Sequence, residues 1–113
     1  MSGSDLFTGT LDLLILRTVR AEPMHGYAIG QLLRQVSGGV LDVAEGVMYP
    51  ALHRLEERGF LTADWGRSET GRRAKYYSLT KKGGTHLEAA TAGWTSFSEA
   101  VRGVLDMKEA EGA

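Results

Sequence analysis

The residues best suited to chemistry in this sequence are the cations in its second half. Between Arg67 and Lys82 there are six lysines and arginines and only one glutamate, a local net charge of +5, although the whole chain carries −1. Guanidinium and ammonium groups bind phosphates, and such contacts supply most of the salt-dependent affinity for a nucleic-acid backbone. We therefore predict that Arg72, Arg73 and Lys75 contact phosphates or the minor groove of DNA. The alternative is a charged surface that only keeps this segment of the chain soluble.

A second set of hydrogen-bond donors precedes these cations. Four apolar residues there repeat at the spacing of a buried helix face: Met48, Ala51, Leu52 and Leu55. Proline is tolerated in the first turn of a helix, so Pro50 predicts a start between residues 46 and 49. The opposite face then carries Tyr49, Pro50 and His53, with Arg54 on its flank. These residues could contact bases or phosphates, or form an ordinary solvated face, and Tyr49 could instead stack on the hairpin.

Other kinds of chemistry have little support in the sequence. The chain has no cysteine and only three scattered histidines, so we predict no metal site and no cofactor. It also lacks a phosphate-binding glycine loop, a G-x-S-x-G elbow and an H-E-x-x-H pair, so we predict no enzyme activity. The longest apolar run, residues 13–16, is too short to span a bilayer, and the start has no signal-peptide pattern. We expect a soluble, cytoplasmic protein without a membrane partner.

The elements that must position these residues follow from the hydrophobic periodicity. Helices are predicted over residues 10–20, from about residue 27 to 36, and up to residue 58, with His25 serving the turn into the second. Alternating residues 61–66 and 74–79 form two strands around a polar turn. A last helix is predicted over residues 85–106. The fold class is mainly α with a small β-hairpin, which is the winged helix-turn-helix plan plus a long C-terminal dimerisation helix.

The last helix carries an apolar seam that indicates self-association. Its members have the spacing of heptad a and d positions: Leu87, Ala90, Trp94, Phe97, Val101 and Val104. A helix of this length spans roughly 30 Å, more than a domain of this size can cover. The first helix, apolar on nearly every side, also needs more cover than a small domain provides. We expect residues 8–82 to form the DNA-binding domain and residues 83–108 a dimerisation helix.

Four stretches, in this order and spacing, resemble the PadR family of transcriptional regulators. They are GTLDLLIL from Gly9, MHGY from Met24, EGVMYPALHRLE from Glu45 and GRRAKYYSLT from Gly71. The match spans residues 9 to about 83 and continues more weakly through Trp94 and Phe97. Val47 departs from the family, which usually has serine or threonine there, and Gly84 stands where a basic residue is usual.

The resemblance implies a homodimer that places two recognition helices in successive major grooves of a pseudo-palindromic operator, most commonly as a repressor. Some relatives bind planar aromatic compounds between paired tryptophans, which implies an effector site near Trp94 and Phe97. The alternatives for Trp94 are a plain core residue of the dimer seam or a wall of that site. A further alternative for the whole chain is a winged-helix module that binds an acidic protein instead of DNA.

Overall fold

The computed structural model describes residues 3–109, with side chains from residue 9 onward. Four helices and three strands follow one another: α1 (Gly3–Val19), β1 (Met24–His25), α2 (Gly26–Val36), α3 (Glu45–Glu57), β2 (Leu61–Arg67), β3 (Arg73–Leu79) and α4 (Lys81–Leu105). The predicted order of three helices, a hairpin and a long helix is confirmed. We call the β2–β3 hairpin the wing.

The short strand β1 was not predicted. It pairs with β3 on the side away from β2, so the sheet order is β1-β3-β2, with Met24 opposite Tyr77 and His25 opposite Tyr76. Two residues are too few to show an alternating pattern, and this strand exists only because β3 lies beside it. Its effect is to fasten the start of α2 to the wing.

The core lies where α1, α2, α3 and the sheet meet. Its buried apolar side chains are Leu11, Ile15, Leu16, Val19, Ile29, Leu33, Met48, Ala51, Leu52, Leu55, Phe60, Leu61, Tyr77 and Leu87. The predicted inner face of α3 is therefore confirmed. On α2, the i, i+3, i+4, i+7 spacing of Ile29, Leu32, Leu33 and Val36 predicts one core face, but Val36 is 79% exposed. The helix ends at Val36, beyond the edge of the core. The side chain of Val36 therefore has no core residue to pack against, although its spacing is correct.

The long helix begins earlier than the predicted residue 85. Thr80 caps it, because its hydroxyl accepts a hydrogen bond of 2.9 Å from the amide of Gly83 and donates one of 2.7 Å to the carbonyl of Gly59. Glycine at position 83 lets the first turn pass close to the chain after α3, since a Cβ there would lie 2.2 Å from the carbonyl oxygen of Phe60. The predicted boundary between residues 82 and 83 falls inside this first turn.

One residue of the predicted seam belongs elsewhere. Leu87 was expected at the dimer interface, but it is 2% exposed within the core of its own chain. The i, i+3, i+4 spacing is the same whether a helix packs on its own chain or on another, so the pattern alone does not separate the two cases. Of the helices that the structure describes, none is long and apolar enough to cross a membrane.

Candidate nucleic-acid interface

The exposed face of α3 carries the predicted contact residues of this helix. Tyr49, Pro50 and His53 are exposed, and His53 Nε2 lies 2.9 Å from a carboxylate oxygen of Glu57 one turn later. Tyr49 also contacts α2, because a Cβ on Gly26 would lie 2.8 Å from its Cε1 atom. One edge of the ring therefore rests on the start of α2, and the 46% of the residue that stays exposed remains available to a ligand.

The start of α3 lacks the side-chain cap that serine or threonine often provides. Ala44 occupies the N-cap position and makes no side-chain hydrogen bond, and Val47 is 42% exposed in the first turn. The start of α2 differs, because Nδ1 of His25 accepts a hydrogen bond of 3.1 Å from the amide of Ala28. This confirms the predicted role of His25 in the turn into α2. The His25 ring also lies edge-on to Tyr76, with ring centroids 5.2 Å apart.

Two cations predicted to contact DNA are held by carboxylates within the chain. Arg54 Nη2 lies 2.7 Å from Oδ1 of Asp12 on α1, where only 10% of the Asp12 side chain is exposed. Lys75 Nζ lies 3.1 Å from Oε1 of Glu56, which joins the wing to the end of α3. These two ion pairs fix α3 relative to α1 and to the wing. Both partners are distant in sequence, so neither pair was visible in the local pattern.

The wing-side ion pair changes the titration of its lysine. The hydrogen bond with Glu56 raises the pKa of Lys75 above its ordinary value of 10.5, so the ammonium stays charged at every physiological pH. Its Nζ also lies 5.6 Å from the ring centroid of Tyr77. Burial raises the pKa of the Tyr77 hydroxyl above 10.0, which keeps that ring neutral against the core.

The wing is a regular hairpin with an ordered tip. At the tip, the Ser68 amide donates to the carbonyl of Arg72 and the Gly71 amide to the carbonyl of Ser68, each at 2.8 Å. Arg67 Nη1 donates to the carbonyl of Gly71 at 3.1 Å. Arg72 stands at this tip with its side chain exposed, and it pairs with no carboxylate among the residues that the structure describes.

A cleft of about 1150 Å³ separates the wing from α2. Tyr27 and Gln31 of α2 lie on one side of it, and Arg72 and Arg73 on the other. Trp65, for which sequence reasoning predicted only a strand position, also lines this cleft and is 59% exposed. An aromatic residue amid arginines was the signal that could have marked it. The cleft is cationic and aromatic, a combination suited to phosphates and sugars.

Apart from Ala90, the rest of the predicted seam lies on the second half of α4. Ala90 is half-buried, and beyond it the apolar residues are exposed by 39% to 66%: Trp94, Phe97, Val101 and Val104. The rings of Trp94 and Phe97 are neighbours, with centroids 6.4 Å apart. Three helices, a basic wing and a projecting helix define the class of winged helix-turn-helix DNA-binding proteins.

Within that class, residues 15–89 match the model of the transcriptional regulator PadR-like family. The chain belongs to this family of transcriptional regulators. The family resemblance seen in the sequence is thereby confirmed.

Relatives and solved structures agree with this assignment. The chain is 34% identical to a PadR-like transcription factor from Bacteroides fragilis, whose structure superposes with a TM-score of 0.74 over 89% of this chain and 95% of the other. A PadR-family regulator from Eggerthella lenta is 30% identical, with a TM-score of 0.77 over 92% and 88% of the two chains. The transcriptional regulator YqjI of Escherichia coli is 32% identical over 71% of this chain and 37% of its own.

Proposed function

We propose that this protein is a cytoplasmic repressor that binds a pseudo-palindromic operator as a homodimer. The observation that carries the proposal is the division of the surface into two parts. The exposed face of α3 and the cationic wing belong to the body of the molecule. The exposed part of the apolar seam belongs to the second half of α4. The first part suits DNA and the second suits another copy of the chain.

For the DNA contact, α3 supplies Tyr49, Pro50 and His53 to the major groove, and the wing supplies Arg72 and Arg73 to the backbone or minor groove. The basic residues fix register and contribute salt-dependent affinity, whereas sequence preference comes from the side chains that reach base edges. Arg54 and Lys75 contribute indirectly, because their ion pairs with Asp12 and Glu56 orient α3 and the wing.

For the dimer, the a and d spacing of Trp94, Phe97, Val101 and Val104 supports packing of two α4 helices across a two-fold axis. Isologous dimers of this kind bind sites with matching symmetry, since each copy contacts one half-site. A regulator seated on a promoter in this way represses by occupying it, which is the most common mode in the family that the chain resembles.

The test is fluorescence anisotropy with labelled DNA from the protein's own promoter, titrated at several salt concentrations beside a scrambled duplex. We expect preference for the promoter and an affinity that falls steeply as salt rises. Arg72→Ala should weaken binding to both duplexes alike, and Lys108→Ala, a charge loss beyond α4, serves as its control. Equal affinity for both duplexes, unchanged by Arg72→Ala, would favour a protein-binding module.

A second candidate is a repressor that an aromatic effector releases from DNA. The adjacent, half-exposed rings of Trp94 and Phe97 favour it, because two planar side chains at a helix pair can enclose a planar ligand. Quenching of Trp94 fluorescence by small aromatic compounds tests it, measured in the Trp65→Phe variant so that only one tryptophan emits. Quenching that also lowers DNA affinity identifies an effector-linked repressor.

A further inference from the structure

The side chain of Arg73 is held by a stacking contact with an exposed aromatic ring. Its Cζ atom lies 4.3 Å from the centroid of the Trp65 ring. In such a contact the planar guanidinium is attracted through its face, whereas its N–H donors lie in its plane and point away from the ring. A stacked arginine is therefore fixed in position and keeps its hydrogen-bonding edge free.

Arg58 also stacks on a ring, with its Cζ atom 4.7 Å from the centroid of Phe60, whereas three other arginines are fixed through their hydrogen-bonding edge. Arg54 donates to Asp12, Arg34 donates to Asp42 at 3.0 Å, and Arg67 donates to a backbone carbonyl of the wing tip. For Arg73, no hydrogen bond or ion pair to the guanidinium occurs within residues 9–109. Its donors are thus positioned at the protein surface without a partner in the chain.

The register of the wing adds a second cation at the same place. Arg67 lies directly opposite Arg73, and Trp65 lies opposite Lys75, so all four side chains share one face of the hairpin. Like charges directly opposite one another destabilise a sheet. An anion bound between Arg67 and Arg73 would remove that repulsion.

We propose that Trp65 is a positioning residue for DNA binding, which holds the guanidinium of Arg73 ready for a phosphate of the DNA backbone. This inference rests on the proposed DNA-binding function. The indole supplies a rigid platform, the stack reduces the rotamer freedom that Arg73 would otherwise lose on binding, and the free donors form a bidentate pair with the phosphate. It also accounts for a tryptophan that remains 59% exposed on the wing.

The experiment is a double-mutant cycle on full-length protein with promoter DNA, using Trp65→Leu, Arg73→Ala and the double variant. A stacked exposed cation predicts about 2- to 5-fold weaker binding per wing in Trp65→Leu, or about 4- to 25-fold for two wings on one operator. Arg73→Ala should also reduce the slope of log affinity against log salt by about 0.9 per lost phosphate contact. Trp65→Leu should leave that slope nearly unchanged, because the charge of Arg73 remains.

The double variant should bind no more weakly than Arg73→Ala alone, because Trp65 acts through Arg73. Trp65→Phe keeps an aromatic face and should retain most of the affinity. Thermal unfolding of each variant verifies that the hairpin is folded, and Lys108→Ala controls for the loss of a remote charge.

Two results would overturn the inference. Additive losses, together with a Trp65→Phe variant as weak as Trp65→Leu, would mean that the indole itself contacts DNA. Wild-type affinity in Trp65→Leu would mean that Arg73 needs no platform. Absence of promoter binding by the wild-type protein would instead contradict the proposed function on which the inference rests.

Discussion

The two halves of α4 lie in different surroundings, although their sequences follow one apolar spacing. In residues 81–90, Gly83 and Leu87 are buried against the body of their own chain. In residues 91–105, Trp94 and Phe97 occupy the same positions of the repeat and are more than 40% exposed. The difference shows that the spacing of a seam does not tell whether a residue is buried within its own chain or stays exposed on the helix surface.

Gly83 and Gly93 lie in the buried and the exposed half of α4, and substituting them should give the largest difference in the free energy of unfolding. Gly83→Ala should lower the free energy of unfolding by about 3 kcal/mol, because its Cβ would lie 2.2 Å from the carbonyl oxygen of Phe60. Gly93→Ala, with no atom within 4 Å of the added Cβ, should raise helix stability by about 1 kcal/mol. Urea unfolding measures both. Similar effects of the two substitutions would contradict the division of α4.

A charge on the exposed half of the α4 seam tests the proposal that a second copy of the chain covers it. Phe97→Asp should weaken self-association by about 100-fold, or about 2.7 kcal/mol, because each carboxylate must lose water to enter the shared face. Sedimentation equilibrium measures the change, and circular dichroism should show an unaltered body. Ser96→Asp, which adds the same charge on the outward side of the helix, serves as the control and should associate like the wild type. An unchanged association constant in Phe97→Asp would rule out this seam.

The body of the molecule and α4 also differ in their ion pairs. Every ion pair among the described residues lies in the body, before the start of α4. Asp12→Asn should lower the free energy of unfolding by about 1 to 2 kcal/mol, because it removes the charged partner of Arg54 while that guanidinium can still turn toward water. Chemical unfolding at a fixed protein concentration measures the loss. Asp42→Asn, in the exposed pair with Arg34, is the matched control and should change stability by less than about 0.5 kcal/mol. Equal losses would contradict a special role for the Asp12 pair.

The smallest effect concerns the pair between the wing and α3. Lys75→Met should lower the free energy of unfolding by about 0.5 kcal/mol, as expected for an ion pair whose side chains are 34% and 33% exposed. Because the pKa of Lys75 is raised in the folded protein, its contribution is fully present below the ordinary value of 10.5 and is lost as pH rises through the folded value. The stability difference between wild type and variant should therefore stay constant from pH 7 to about 10 and shrink above it. A difference that changes between pH 7 and 9 would point to another group.

Much of the fold could be predicted from the sequence because its signals are local. The inner face of α3, the turn between the strands and the start of α2 at His25 each depend on residues within one turn or hairpin of one another. Strand β1 could not be predicted in this way, because its two residues gain their structure only from β3. Val36 continues a correct periodicity past the point where the core ends.

The interface was less predictable because donors are recognisable in a sequence but their partners are not. Arg54 and Lys75 have the chemistry of phosphate ligands, yet Asp12 and Glu56 engage them from 42 and 19 residues away. Trp65 looks like an ordinary strand residue until the register brings Arg73 over its ring. What a cation does therefore depends on which of its sides the tertiary structure leaves free.

The position of Leu87 has a consequence for how the molecule assembles. Every fully buried apolar residue of the described chain lies at or before Leu87, so the core can close without residues 91–105. Folding of the body is then a first-order process, and in the proposed dimer the pairing of the two α4 helices would be a separate second-order process whose rate depends on protein concentration. At nanomolar concentration the chain would be folded long before it found its partner, and the time needed to form a competent dimer would be set by the rate of encounter.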